Sequence, residues 1–365
     1  MCKTVPILHS ETSSYKPPPA NTKKVNHFNR YELMINKAKK YLAVALFSML
    51  TTVVVAQIDP HFTQYYMYPL WLNPALTGAV DGNFRVSVIQ RQQWASIATP
   101  FTTTGLSADM TTTKNINFGV NLLQQSAGDV GYKFTTGNLS VSYSGIRFGR
   151  EGEKVITFGM QGGILGRSIN LANAQVNDQY QGGVYNPGAG TNESVVKPTA
   201  SAFDMSAGVF YYDADPDKKV NLFGGFSAGH LTQPSDPFLS SNNGAKLPVR
   251  YTVHAGANVF LSEKAQLVPN VLFMQQGNTS EVMLGGYLQM AVNEITDLTA
   301  GVNYRLKDAI SPYIGLKFSS LTFGASYDIN SSQLGKLVNG ASAFDLSLMY
   351  TDSRKQKGHF KCPRY

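Results

Sequence analysis

The chain has 365 residues, 43% hydrophobic and only 15% charged, with two cysteines and a formal charge of +8. The positive charge suggests nucleic acid, but residues 1–56 hold eight Lys or Arg against two acids, leaving 23 basic and 21 acidic residues elsewhere. No basic-aromatic patch remains to bind nucleic acid, and the scarcity of charge leans towards a membrane.

From Met34 the chain has the layout of a secretory signal peptide. A basic stretch (Lys37, Lys39, Lys40) leads into an apolar run from Tyr41 to Val55 that ends on Val54-Val55-Ala56. The run is shorter than the roughly 20 residues of a spanning helix, so cleavage after Ala56 is expected, an uncleaved anchor being the alternative. Residues 1–33, with Pro17-Pro18-Pro19, read as an upstream extension, and translation is expected to begin at Met34. Cys2 falls in that extension. Only Cys362 would stay in the mature chain, which excludes an intrachain disulfide and a CxxC site.

Residues 57–81 form an aromatic-rich lead-in, expected on the periplasmic side. Pro60, Pro69 and Pro74 forbid a long helix or a central strand, while Phe62, Tyr65, Tyr66, Trp71 and Leu72 are too apolar for a solvated linker. The lead-in must bury against something. Either it packs into the periplasmic mouth of the domain that follows, the reading preferred because of its short tether, or it forms a docking surface for a periplasmic partner.

From residue 82 to 350 the pattern has a period of two. Fourteen strands are predicted, near 82–93, 102–110, 115–126, 134–147, 154–167, 202–211, 220–231, 249–261, 265–275, 281–292, 297–306, 311–318, 321–328 and 343–350. In the thirteenth, Leu321, Phe323, Ala325 and Tyr327 oppose Thr322, Gly324, Ser326 and Asp328. A soluble sandwich and a membrane barrel share this alternation, but many segments reach the 9 to 11 residues or so that a tilted transmembrane strand needs. The three longest connections, 168–201, 232–248 and 329–342, all follow odd-numbered strands. Short turns on one side and long loops on the other are the habit of outer-membrane barrels. The predicted fold is therefore all-β, an antiparallel transmembrane barrel, with residues 351–365 as a polar tail.

Glycines within strands, such as Gly159, Gly208 and Gly225, are expected to relieve crowding where strands bend. Aromatics at strand ends (Trp94, Phe101, Tyr211, Tyr212, Tyr327, Tyr350) suit interfacial girdles, or ordinary core packing. The mature histidines, His61, His230, His254 and His359, have no metal or triad spacing. Asp213-Ala214-Asp215-Pro216-Asp217 starts like a calcium loop but has Lys218 and Gly224 where glycine and glutamate belong, so it reads as an acidic turn. Gly182 to Gly190 is glycine-rich without a following helix and reads as an external loop. No catalytic, cofactor or metal site is assigned.

Several segments resemble the PorP/SprF membrane proteins of the type IX secretion and gliding machinery. They are Gln57 to Gln64, Asn73-Pro74-Ala75 with Gly78, Arg91 with Gln93-Trp94, Pro100-Phe101, Ser126-Ala127-Gly128, His230 to Pro234, Gly324 to Ile329 with its Tyr327-Asp328, and Cys362 to Tyr365. Ser342-Ala343-Phe344-Asp345-Leu346 departs from the Ser-His-Glu-Ile segment of many relatives. The resemblance implies a non-enzymatic outer-membrane barrel that helps export, and hold at the surface, a large secreted protein such as an adhesin. Its implied partners are that substrate, other secretion-machinery proteins in periplasm and outer membrane, and outer-membrane lipid. Asn73, Pro74, Gly78, Arg91, Gln93, Trp94, Pro100, Phe101, Tyr327 and Asp328 become the candidate site residues, structural or partner-contacting. A passive or substrate-specific channel is the alternative from the same alternation, with a histidine-dependent outer-membrane hydrolase a distant third.

Overall fold

The structure is a computed structural model that describes residues 59–94, 99–128, 131–170, 179–181, 184–186, 188, 199–235, 246–331 and 343–352. The extension, the signal segment, His359, the C-terminal tail and most of the Gly182 to Gly190 stretch lie outside the described residues. Fourteen antiparallel strands form one closed barrel: β1 (Phe84–Gln93), β2 (Phe101–Met110), β3 (Ile116–Ala127), β4 (Tyr132–Phe148), β5 (Lys154–Ser168), β6 (Thr199–Asp213), β7 (Val220–Gly229), β8 (Arg250–Ser262), β9 (Ala265–Gln276), β10 (Thr279–Asn293), β11 (Thr296–Arg305), β12 (Ala309–Phe318), β13 (Leu321–Asn330) and β14 (Ala343–Thr351). Each strand pairs with its chain neighbours, and β1 pairs with β14 to close the sheet, so the barrel has no free edge. All fourteen strands predicted from the sequence are present.

The alternation resolves with its polar face inward. Arg85, Ser87 and Arg91 of β1 are buried while Val88 is exposed; in β2 Thr103, Ser107 and Asp109 are buried while Leu106 and Met110 are exposed. Such a surface is ruinous in water but suits lipid, where backbone groups must pair internally and side chains facing outward are apolar. No helix among the described residues is long and apolar enough to cross a membrane.

Outward-facing aromatics gather near both rims, Phe226, Tyr251, Tyr304 and Tyr327 at one and Phe118, Phe148, Phe318 and Tyr350 at the other. Tyr212 is a correction to the expected girdle. It is 6% exposed and packs inside the barrel against Phe210, because its register on β6 points it into the lumen. The expected seventh strand also stops early, at Gly229. His230 follows at φ 57 and turns the chain out of the ladder.

By strand order, the connections 169–198, 230–249 and 331–342 all leave one rim, called here the long-loop rim. The chain starts β1 and ends β14 at the opposite, short-turn rim. The acidic turn after β6 lies there, and Lys218 occupies it, its Nζ 2.7 Å from Asp213 and 3.3 Å from Asp215.

The lead-in fills the lumen. Its prolines allow single turns only: a 3-10 turn at Tyr65–Met67, one α-turn at Pro69–Leu72 and a 3-10 turn at Pro74–Leu76, with Pro69 and Pro74 in the first turns of the last two, where a missing N–H costs nothing. It is not confined to the rim where β1 begins. Asp59 sits beside Gln276, the last residue of β9, and Arg250, the first of β8, at the long-loop rim; Gly78 reaches Asp109 near the short-turn rim. About twenty residues span far more than a barrel wall even when coiled into turns, so the short tether fixes only one end.

The two apolar clusters among the described residues are both interfaces between this plug and the wall. Leu72, Ala75 and Leu76 pack with Val155, Phe210 and Leu272, while Phe62, Met67 and Trp71 pack with Ile89, Leu123 and Phe134. The plug is thus the hydrophobic core of a barrel whose outside is already apolar.

Candidate functional site: a latched plug beneath an open rim

Three polar anchors hold the plug. The first is at the long-loop rim, where the Asp59 carboxylate accepts from His230 Nε2 and from Arg250 Nη1 at 3.1 Å. The Asp59 backbone N–H donates to Gln276 at 2.8 Å. His230 Nδ1 is 2.6 Å from Asp204, so the imidazole is clamped between two carboxylates. Burial opposes charge on His230, but Asp59 and Asp204 outweigh it and push its pKa up to about 9. Burial likewise opposes charge on Asp59, yet His230, Arg250 and Gln276 hold its carboxyl well below the usual carboxylate range. Arg250 also covers the Trp71 ring at 4.3 Å and donates to the Trp71 carbonyl, while Trp71 Nε1 donates to the Pro60 carbonyl at 2.8 Å.

The second anchor crosses the seam where the barrel closes. Arg91 donates to Asp345 and to Asp328, each at 2.6 Å, and to Thr63 Oγ1 at 3.0 Å. Arg305 reaches the same Asp328 at 2.7 Å. The remaining Asp345 oxygen accepts the backbone N–H groups of Thr63, at 2.7 Å, and Gln64, at 3.2 Å. Turned so that its carbonyl meets donors, the Gln93 amide accepts from Arg91. Every charge here is paired and hydrogen-bonded, the condition under which buried ions are tolerated.

The third anchor is lower. The Asn73 amide donates to the Val209 carbonyl at 3.0 Å and lies 3.2 Å from His254 Nε2, while its oxygen caps Ala75 N–H at 2.9 Å. Pro74 and Ala75 press against Gly159, and Asn73 against Gly208, whose added Cβ would stand 2.0 Å from Asn73 Oδ1. Bending is therefore not what these two glycines serve; they admit the plug. At the exit Gly78, at φ 72, donates to Asp109 at 2.7 Å, and Arg85 pairs with both oxygens of the same carboxylate.

The candidate residues taken from sequence are only partly brought together. Arg91, Gln93, Trp94, Phe101 and Asp328 border one cavity of about 240 Å³ at the long-loop rim. Half-buried Pro100 adjoins Phe101. Asn73, Pro74 and Gly78 lie on the plug away from that cavity, and Tyr327, 50% exposed, faces outward, opposite to Asp328. Sequence reasoning missed Asp59, Thr63, Asp204, Arg250, Arg305 and Asp345. For Asp204, Arg250, Arg305 and Asp345 the signal available was a full charge on the inward face of a strand, which has to find a partner. Among the described residues no group of His, Cys, Asp and Glu is arranged to hold a metal ion.

The sequence profile of the type IX secretion system membrane protein PorP/SprF family matches residues 54–350, nearly the entire barrel and plug. The chain belongs to this family. As a PorP/SprF protein it is a membrane component of a secretion machine, which implies contact with other parts of that machine. Among curated proteins none matches it by sequence. Solved structures similar to this PorP/SprF barrel include the toluene transporter TodX of P. putida, at 10% identity and a TM-score of 0.44, covering 78% of this chain and 93% of that one. The toluene transporter TbuX of Ralstonia pickettii is similar at 9% identity and 0.46, covering 77% and 92%. The KdgM porin stands at 5% identity and 0.34, covering 73% and 98%. What those proteins carry says nothing of this one.

Proposed function

We propose that this PorP/SprF barrel sits in the outer membrane with its long-loop rim outside, and that it assists export and surface attachment of a large secreted protein such as an adhesin. The observation that carries the reading is the plug: a lumen filled by the chain's own residues 59–80 and latched by buried ion pairs is poorly suited to free diffusion and well suited to a scaffold. The apolar exterior and the two aromatic bands support a lipid setting, and the sorting of long connections to one rim supports the orientation. Residues 34–56 act as an export signal cleaved between Ala56 and Gln57, and residues 59–80 form the plug. We read no enzymatic role.

A channel is the second reading, favoured by cavities at both ends of the lumen, about 240 Å³ beside Arg91 and Asp328 at the long-loop rim and about 80 Å³ beside Arg85, Gln289 and Lys317 at the other. Cells lacking the protein should still synthesise the secreted substrate but lose it from their surface, and the purified barrel should bring that substrate with it. Normal surface display in the deletion strain sinks the first reading.

A further inference from the structure

The cavity at the long-loop rim has features that plug anchoring does not use. Trp94 holds a left-handed backbone, φ 59, which a bulky side chain adopts only when its surroundings enforce it, and such strain gathers at ligand clamps. Its ring meets Phe101 edge to face at 5.0 Å, making an aromatic wall on one side. Asp308, Asn330, Gln125 and Thr279 also line it. His61 also borders the cavity, with its buried Nε2 turned to the Glu281 carboxylate at 3.4 Å.

Charge and shape narrow the occupant. Each charged side chain bordering the cavity already touches an opposite charge, Arg91 with Asp345 and Asp328, Arg305 with Asp328 and Asp308, and Asp59 with Arg250, so none stands without a partner to hold an ion. The closed barrel offers no strand edge for an extended peptide to pair with. A volume of about 240 Å³ is below the roughly 300 Å³ at which drug-sized pockets begin. What remains is a small neutral molecule with an apolar face for Trp94 and hydroxyls that both donate and accept, matching fixed amide, carboxylate and guanidinium groups.

We propose that this rim cavity binds a neutral hexopyranose, the ring resting on Trp94 and its hydroxyls meeting Asp308 and Asn330. The site does not depend on the secretion reading. The sugar could be free, borne by a surface glycolipid, or borne by a glycosylated protein, and the chemistry of recognition is common to the three.

The test uses the full chain in a detergent without a sugar headgroup. The chain has two tryptophans, so Trp71→Phe leaves Trp94 as the sole emitter. Methyl hexopyranosides should change its emission saturably with a midpoint of about 1 mM. Should Trp71→Phe fail to fold, saturation-transfer NMR on the unaltered protein reads the same binding. Trp94→Ala should abolish the transfer signal, and Asp308→Asn should weaken binding about tenfold or more. Tighter binding of a glycolipid oligosaccharide or of a glycopeptide than of the methyl glycoside assigns the natural source. The proposal is overturned if folded protein shows no saturable response to any neutral sugar, if Trp94→Ala binds as well as the unaltered chain, or if only acidic sugars or peptides bind.

Discussion

Arg91 on β1 and Asp345 on β14 face each other directly in the register that closes the barrel, and the guanidinium donates to the carboxylate at 2.6 Å. Both are buried, and Asp345 spends its second oxygen on two backbone amides of the plug. Closing the sheet and seating the plug are thus one event at this point. Removing one partner of a buried pair leaves an uncompensated charge, a loss of about 3–5 kcal/mol. Arg91→Met is expected to lower the temperature at which the purified barrel loses its heat-modifiable gel mobility, more than Gln90→Met on the outward face does. Equal shifts for the two variants would show that the seam pair is dispensable.

The clamp at Asp59 makes stability depend on pH at the long-loop rim. His230 is raised from 6.5 to about 9, so its contribution is complete below 6.5 and is lost as pH rises through about 9. Asp59 is lowered from 3.8, so its contribution is complete above 3.8 and fades as pH falls into the acid range. Thermal midpoints should be highest between those limits and decline on the alkaline side. His230→Gln should flatten that alkaline decline, on the order of 3 kcal/mol at most. An unchanged alkaline profile in the variant would remove His230 from the account.

The plug's close approach to the wall at Gly208 gives a test of packing. Gly208→Ala puts a methyl where Asn73 Oδ1 now lies, so it should destabilise, and Asn73→Ala should destabilise as well through loss of its bonds to Val209 and Ala75. Together the two changes should cost less than their sum, with a coupling of about 0.5–3 kcal/mol. Additive losses in denaturant melts would mean that the plug does not press on β6 in this way.

Trp71 and Leu72 extend the argument to the apolar part of the plug. Replacing both by Ala empties space against Arg250 and the β5–β8 wall and should lower the thermal midpoint, at about 2–5 kcal/mol per side chain, while the protein still inserts as a barrel. Variants that unfold like the unaltered chain yet fail to display a secreted protein would instead make this segment a docking surface.

The barrel was legible in the sequence because its signal is local. A period of two with Phe323 and Tyr327 on one face and Ser326 and Asp328 on the other needs no knowledge of distant residues, and each of the fourteen runs carries it independently. The lead-in was legible as buried, from its prolines and aromatics, but not its course. That course depends on pairs such as Asp59 with His230 and Thr63 with Asp345, which no periodicity links. Gly208 and Gly159 misled for the same reason, since a strand glycine signals a close approach without saying what approaches. Tyr212 misled through a single position of register, which moves a side chain from lipid to lumen.

The most direct test of the plugged barrel is planar-bilayer conductance of the purified mature chain. A lumen filled by residues 59–80 predicts no steady current, with current appearing once that segment is deleted from a chain that still forms the barrel. Large, stable openings in the unaltered protein would contradict it, because a plug latched by Asp59, Arg91 and Asp345 cannot also stand aside for ions.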